Sequence, residues 1–485
     1  MCCLRLSKQD NIKSSTPTTI MNLTIRNLTV TPLELKRIER FEADAVGSNG
    51  FAKVTSRIVG IFNSTENYGV VPKSGDPAST DDCHSALIGP FESRETEFRA
   101  AEPQREVLRV HFQQPNTGNC WSVDAPGPNH RTLVMRRTEG SEDSPAEFSV
   151  VYHVVQGHLA IFSSGGLANW MAQMRDEFPL SMLSIPGTHN SPTCYKALPS
   201  VRCQAVGVRE QLDNGVRFLD VRVSVQPDSD ELVLVHAAFP VSLTGNKYLH
   251  DLLKECYDFL DANPTEGLIM SLKREGTGKG SDADLSKHLI NRYCTGEYAS
   301  RWYTDTKVPH LGSARGRILL LRRYHDDESA QKRHNGRGFG LDGSHWPDNC
   351  EDGTVGSGLI RVQDFYEIDQ STNIERKIEY ARAQLERAAE KRADPRGEPN
   401  PLFVNFLTAS NFFNANCWPE NIAAKVNPSI IEYLCMRHGA DGKGPNGLSI
   451  GDSATGVVVT DWVGKDGDWD LIRCIVGWNA RLQLR

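Results

Sequence analysis

Two textures of apolar and polar positions divide the chain. Between Met21 and about Phe162, short runs alternate with period two, as in Leu23-Thr-Ile-Arg-Asn-Leu-Thr-Val30, Val107-Leu-Arg-Val-His-Phe112 and Phe148-Ser-Val-Val-Tyr-His-Val154, with clusters of Gly, Pro, Asn and Asp between them. Such alternation turns one face of each segment to a core and the other to water, so it predicts an all-β, sandwich-like domain. From about Leu167 the rhythm becomes strand then helix. The strand-like runs are 182–185, 217–224, 232–236, 268–273, 317–324, 359–365, 402–407 and 456–462, and helix-like segments cover 246–263, 281–293, 372–392, 428–437 and 469–478. Alternation of this kind predicts parallel βα units, and eight strands in a segment of this length suit a distorted TIM (β/α)₈ barrel with insertions at about 325–357 and 393–400.

The domain organisation that follows is a polar, Ser/Thr-rich disordered tail over 1–20, an all-β domain over 21–165, and the α/β barrel over 166–485. The small, flexible run Ser163-Ser-Gly-Gly166 makes the joint.

Composition narrows the function. Among 485 residues, Lys plus Arg is 54 and Asp plus Glu is 61, a net charge of −7, which supplies no electrostatic footprint for polynucleotides. The twelve cysteines contain no C-x-x-C pair, so neither a structural zinc nor a dithiol redox site is expected. The N-terminal residues carry no apolar signal-like core and no run approaches a membrane span, so a cytoplasmic protein is expected. Asn22, Asn27 and Asn63 stand in glycosylation triplets that have no meaning there, and Cys2 and Cys3 offer a tandem acylation site for peripheral membrane attachment.

The barrel makes a sharp demand: reactive groups belong at the C-terminal strand ends. The predicted ends carry Gly187-Thr-His189-Asn190, Asp220 with Arg222, His236, Lys273, Arg322-Arg323, Asp364 with Tyr366, and Asp461. Because side chains alternate along a strand, Asp220 and Arg222 share the barrel interior while Leu219, Val221 and Val223 face the helices. Two histidines and a guanidinium suit phosphodiester transfer: one imidazole takes a proton from an attacking hydroxyl, the other returns one to the leaving alkoxide, and the guanidinium grips phosphate oxygens. Singly, each residue has a blander role, His236 as a bonded core histidine, Asp220 or Asp461 as an ion-pair partner of Arg222, and Lys273 as a strand-end charge. Their shared placement favours the chemical reading.

These blocks carry a resemblance. Leu183-Ser-Ile-Pro-Gly-Thr-His-Asn190, Gly215-Val-Arg-Phe-Leu-Asp-Val-Arg222, Leu234-Val-His236, Ile269-Met-Ser-Leu-Lys-Arg-Glu275, Arg315-Gly-Arg-Ile-Leu-Leu-Leu-Arg-Arg-Tyr324, Val362-Gln-Asp-Phe-Tyr366 and Val458-Val-Thr-Asp-Trp462 resemble, in order, the bacterial type of phosphatidylinositol-specific phospholipase C. The resemblance implies a distorted TIM barrel and a metal-independent lyase reaction without cofactors, releasing diacylglycerol and a 1,2-cyclic inositol phosphate from an inositol phospholipid at a membrane surface. It implies His189 as general base, Asp461 as the carboxylate that orients it, His236 as general acid, Arg222 as the phosphate grip and Asp220 as an acidic member of the site. Lys273, Arg323, Asp364 and Tyr366 are implied to hold the inositol ring, with Arg322 close enough to leave the arginine assignment open. Asn190 departs from the family, which has Asp after the catalytic histidine; the calcium-dependent branch uses Asn there as a metal ligand. Calcium is nevertheless not expected, because a hard cation needs several oxygen donors and the relevant strand positions carry Arg222 and Lys273. Two rival readings stand beside this one: a metal-dependent phosphodiesterase of glycerophosphodiesters or sphingolipids, and a weakly active protein that binds inositol lipids.

Overall fold

In the computed structural model, residues 21–46, 69–128, 131–140, 147–198, 200–369, 373–392, 400–442, 447 and 449–485 are described. The predicted tail over 1–20, with Cys2 and Cys3, lies outside them, as do Asn63 and most of the 393–400 insertion. No helix of the described residues is long and apolar enough to cross a membrane.

The segment up to Ser163 folds into two sheets, one ordered around Asn22–Asn27 and His158–Ser163, the other around the long strand Leu33–Ala45. Leu23 and Ile25 of the first sheet pack in one core with Leu35, Ile38, Phe112 and Trp121 of the second. Its outer face rests on the helices of the second half: Arg26 donates to the carbonyls of Cys435 and His438, at 3.1 and 2.6 Å, and Asp470 accepts from the amides of Arg131 and Thr132.

The second half is a curled, mostly parallel sheet surrounded by helices. Its parallel strands are β1 (Ile185–Thr188), β2 (Phe218–Gln226), β3 (Leu268–Arg274), β4 (Ile318–Arg323), β5 (Leu341–Asp342), β6 (Ile360–Gln363), β7 (Leu402–Phe406) and β8 (Val457–Thr460). They follow the order β5-β4-β3-β2-β1-β8-β7-β6. The helices are α1 (Val208–Asp213), α2 (Leu249–Ala262), α3 (Asp282–His288), α4 (Asn373–Ala389), α5 (Pro419–Met436) and α6 (Asp470–Gly477). Among the described residues no ladder joins β5 to Gly353–Val355, the antiparallel strand on the outer side of β6; the seam is bridged by apolar packing, with Leu341 and Val355 in one core.

Four sequence expectations change. Residues 232–236, expected as the third barrel strand, belong to Ser229–His236, which pairs antiparallel with β2 as a hairpin. The strand that restores the count, β5, lies inside the expected 325–357 insertion. The first strand begins at Ile185 instead of residue 182, because Leu180–Met182 form a single 3₁₀ turn, and α5 begins at Pro419, well before the expected 428.

Parity along the strands sorts side chains between two environments. Phe218, Ile269, Leu319, Leu321, Val404 and Val459 pack inside the barrel, while Leu219, Val221, Val223, Met270, Leu272 and Leu320 pack outward against α2 and its neighbours. Gly187 permits the tight approach of β1 to β2: a Cβ there would lie 2.9 Å from that of Phe218. The next inward positions after these apolar layers are His189, Arg222, Lys273, Arg323, Asp364 and Asp461, so the interior turns polar at one end.

Candidate active site

Those inward positions line a cavity of about 250 Å³ at the C-terminal ends of the strands, together with His236, Glu275, Trp346 and Tyr366. Strand register sets their spacing. Arg222 pairs with Lys273 and Lys273 with Arg323 across β2, β3 and β4, which brings three cations side by side.

The two imidazoles face each other. Nδ1 of His189 is 3.1 Å from Oδ1 of Asp461, and the His189 and His236 rings meet edge to face with centroids 5.6 Å apart. Gln204 ties this corner together: its Nε2 donates to the His189 carbonyl (2.7 Å), the Thr460 carbonyl (3.0 Å) and Asp461 Oδ1 (3.3 Å). The antiparallel hairpin carries His236 over the barrel mouth, where its Nδ1 lies 2.9 Å from the carbonyl oxygen of Val201. A carbonyl accepts only, so Nδ1 carries the hydrogen and Nε2 is the free nitrogen. Burial, then the Arg222 cation and the neighbouring His189, lower His236 to about 3, which keeps it neutral near pH 7.

Arg222 is fixed on both sides. Its Nε and Nη2 donate to Asp220 Oδ2 at 3.2 and 3.1 Å, and its Nη1 donates to Glu275 Oε1 at 3.0 Å. Burial works against its charge, but the Asp220, Glu275 and Asp364 carboxylates outweigh it and hold the guanidinium above its ordinary value. Asp220 is fully buried beneath the cavity and does not line it, so it acts as the anion under Arg222 and Arg323; burial would raise its carboxyl, and the two guanidinium groups hold it well below the ordinary carboxylate range. Glu275 also accepts from Lys273 Nζ at 2.7 Å and from the Ala237 amide at 2.9 Å. Burial opposes its ionisation, but Arg222 and Lys273 bring it down to about 2.

The opposite wall combines aromatic faces with carboxylates. Arg323 lies over the Trp346 indole at 4.1 Å, Trp346 Nε1 donates to Asp364 Oδ2 at 2.9 Å, and the Tyr366 hydroxyl donates to Asp348 Oδ1 at 2.7 Å. Of the two adjacent arginines, Arg323 lines the cavity, while Arg322 points outward and donates to the carbonyls of Phe339 and Tyr324.

Asn190, like Asp220, keeps its side chain out of the cavity. It is fully buried, φ is 43° in the left-handed region that Asn tolerates, its amide donates to Asp220 Oδ2 at 3.2 Å, and neither side-chain polar atom has a hydrogen-bond partner among the described residues. Sequence reading assigned no role to Glu275, Trp346, Gln204 or Asp348. Glu275 has the parity of Lys273 two residues on and was legible by that rule; the other three come from loops, where no period marks them.

The site thus sets two imidazoles beside a fixed guanidinium at a barrel mouth. Residues 177–324 match the family model for the phosphatidylinositol-specific phospholipase C, X domain. The 1-phosphatidylinositol phosphodiesterase of Staphylococcus aureus (strain Newman) is 27% identical over 342 residues, covering 68% of this chain and 98% of that protein. The 1-phosphatidylinositol phosphodiesterase of Listeria monocytogenes is 28% identical over 272 residues, 55% of this chain and 74% of that one. A solved mutant structure of the Staphylococcus aureus phosphatidylinositol-specific phospholipase C overlays with a TM-score of 0.52 at 22% identity, over 65% of this chain and 97% of that chain. That overlay is a likeness of fold. In sequence and fold the barrel half is similar to the bacterial type of phosphatidylinositol-specific phospholipase C, the resemblance that the sequence blocks carried.

Proposed function

We propose that the chain cleaves inositol phospholipids without a metal ion, transferring the phosphodiester to the inositol 2-hydroxyl to give diacylglycerol and a 1,2-cyclic inositol phosphate. The observation that carries this reading is the placement of His189, backed by Asp461, and of His236 on either side of a mouth whose floor holds Arg222. Nε2 of His189, with Nδ1 turned to Asp461, takes the proton of the attacking hydroxyl, and Asp461 supports the imidazolium that forms. Arg222 grips the non-bridging oxygens and offsets the negative charge that develops there. The phosphodiester anion also counters the Arg222 field at His236, which lets that ring carry the proton it passes to the leaving alkoxide. Lys273, Arg323, Asp364 and Tyr366 orient the ring; since the nucleophile belongs to the substrate, the protein supplies mainly position and charge.

A lipid partner is supported by the rim. Phe413 is 94% exposed and Phe412 48%, beside the cavity-lining Ser410, and Phe412 stacks on Phe239 at 5.9 Å. The exposed aromatic cluster suits contact with a leaflet. We place the protein at the cytoplasmic membrane surface, where acylation of Cys2 and Cys3 would hold it.

The test is incubation with phosphatidylinositol vesicles, with calcium or with excess chelator, followed by phosphorus NMR of the soluble product. A cyclic phosphate resonance of equal rate in both conditions is expected. A requirement for metal overturns the mechanism, and vesicle binding without product over hours overturns the activity.

A further inference from the structure

The proposed chemistry leaves one enclosed nucleophile unused. Cys203 has no solvent exposure and does not line the cavity, yet its Sγ lies 3.6 Å from Nδ1 of His236. His189 follows β1, Cys203 comes from the loop between β1 and α1, and His236 ends the hairpin. One ligand atom from each lies within 4.8 Å of the other two. We propose that His189, Cys203 and His236 form an inhibitory site for zinc or another soft divalent cation of the same preference.

The donor set decides which ion fits. One sulfur and two imidazole nitrogens suit zinc, whose bonds of about 2.3 Å to sulfur and about 2.0 Å to nitrogen place neighbouring tetrahedral ligands roughly 3.5 Å apart. The 3.6 Å between Cys203 Sγ and His236 Nδ1 already matches; to use it, Nδ1 gives up its hydrogen bond to the Val201 carbonyl, and the His189 ligand atom closes in from within 4.8 Å. Calcium and magnesium want oxygen donors and find none among these three groups. Asp461 behind His189 repeats the carboxylate–histidine support that metal-binding imidazoles commonly have. The charge of Arg222 opposes a cation here, but it is already matched by Asp220 and Glu275, its ion-pair partners at 3.1 and 3.0 Å.

Binding forms one metal–sulfur and two metal–nitrogen bonds; the S–H bond of Cys203 breaks with its proton released to solvent, and the His236 hydrogen moves from Nδ1 to Nε2 so that Nδ1 can ligate. Both imidazoles then lack a free lone pair, so neither can take up a proton, and His236 cannot form the imidazolium that serves as acid. The metal site stands on donor geometry; only its effect on turnover rests on the proposed function.

The experiment has two arms. In the first, the reduced full-length protein is titrated with cobalt or cadmium and the sulfur-to-metal charge-transfer absorption is read for wild type, Cys203→Ser and His236→Ala. One equivalent of absorbing metal is expected in wild type, and its loss in both variants. An unchanged band in Cys203→Ser overturns the site, whether or not the protein turns lipid over. In the second, zinc inhibition of phosphatidylinositol cleavage is measured. Removing the thiol should leave the metal-free rate near wild type and raise the half-inhibiting zinc concentration about tenfold or more. Equal inhibition of both proteins, or activation by zinc, overturns the proposed inhibition.

Discussion

Oδ1 of Asp461 lies 3.1 Å from Nδ1 of His189, although 272 residues separate them in the chain. Parallel pairing of β1 with β8 makes this contact unavoidable: Thr188 is registered with Thr460, so the next residue of each strand emerges side by side at the barrel mouth. The carboxylate fixes which nitrogen of His189 carries hydrogen. Asp461→Asn keeps the shape and removes that control. Its kcat should fall on the order of 10²- to 10⁴-fold with KM little changed and the circular dichroism spectrum intact. A variant with more than half the wild-type kcat would remove Asp461 from the mechanism.

Glu275 holds three groups at once, Arg222, Lys273 and the Ala237 amide. Glu275→Gln frees the two cations to drift and should weaken lipid turnover strongly. It also has a pH signature. Because the folded carboxyl titrates near 2 against an ordinary value of 4.5, ionised Glu275 stabilises the fold above about 4.5, and this contribution is lost as pH falls toward 2. The stability difference between wild type and variant, measured by urea denaturation, should therefore shrink below about pH 4.5. A difference independent of pH from 3 to 7 would show that the carboxylate charge contributes nothing.

Much of this site was legible because strand parity is a property of sequence. Once residues 217–224 are read as a strand, Asp220 and Arg222 must share the interior, and the same rule chooses Arg323 over Arg322. Strand direction is a different matter. Residues 232–236 alternate just as a parallel strand does, and only the brief link from Gln226 to Ser229 reveals the hairpin, since parallel neighbours need a crossover of about a dozen residues. The two residues of β5 are too few for any period to mark. Trp346 and Gln204 reach the site from loops, and the meeting of Cys203 with His236 depends on how the hairpin folds over the mouth, a tertiary fact without a local signature.

The aromatic rim separates surface action from chemistry. Changing Phe412 and Phe413 together to Ser removes two apolar side chains that the proposed membrane contact would bury, at about 1.5 to 3 kcal/mol each when burial is complete. Turnover of vesicle phosphatidylinositol should drop at least about tenfold, while cleavage of a short-chain, monomeric analogue stays near wild type. An equal loss on both substrates would place these residues in the reaction instead of at the lipid surface.

Lys377 offers a test that needs no substrate. It is fully buried on α4, and its Nζ donates to Gln363 Oε1 at 3.0 Å and to the Phe365 carbonyl at 2.7 Å, clasping the chain on either side of Asp364. Burial lowers it to about 7 from an ordinary 10.5, although the Asp364 and Asp461 carboxylates pull the other way. The folded protein has then released a proton that the unfolded chain keeps until about 10.5. Between pH 7 and 10.5 the unfolded state binds more protons, so this group makes stability rise with pH, by up to about 1.4 kcal/mol per pH unit. Below 7 both states are protonated and its contribution is flat. Lys377→Met removes the titration, so the stability of wild type relative to the variant should climb from pH 7 to 9 and stay level from 5 to 6.5. A level difference across the whole range would mean that Lys377 keeps its charge in the fold and that Asp364 and Asp461 outweigh burial.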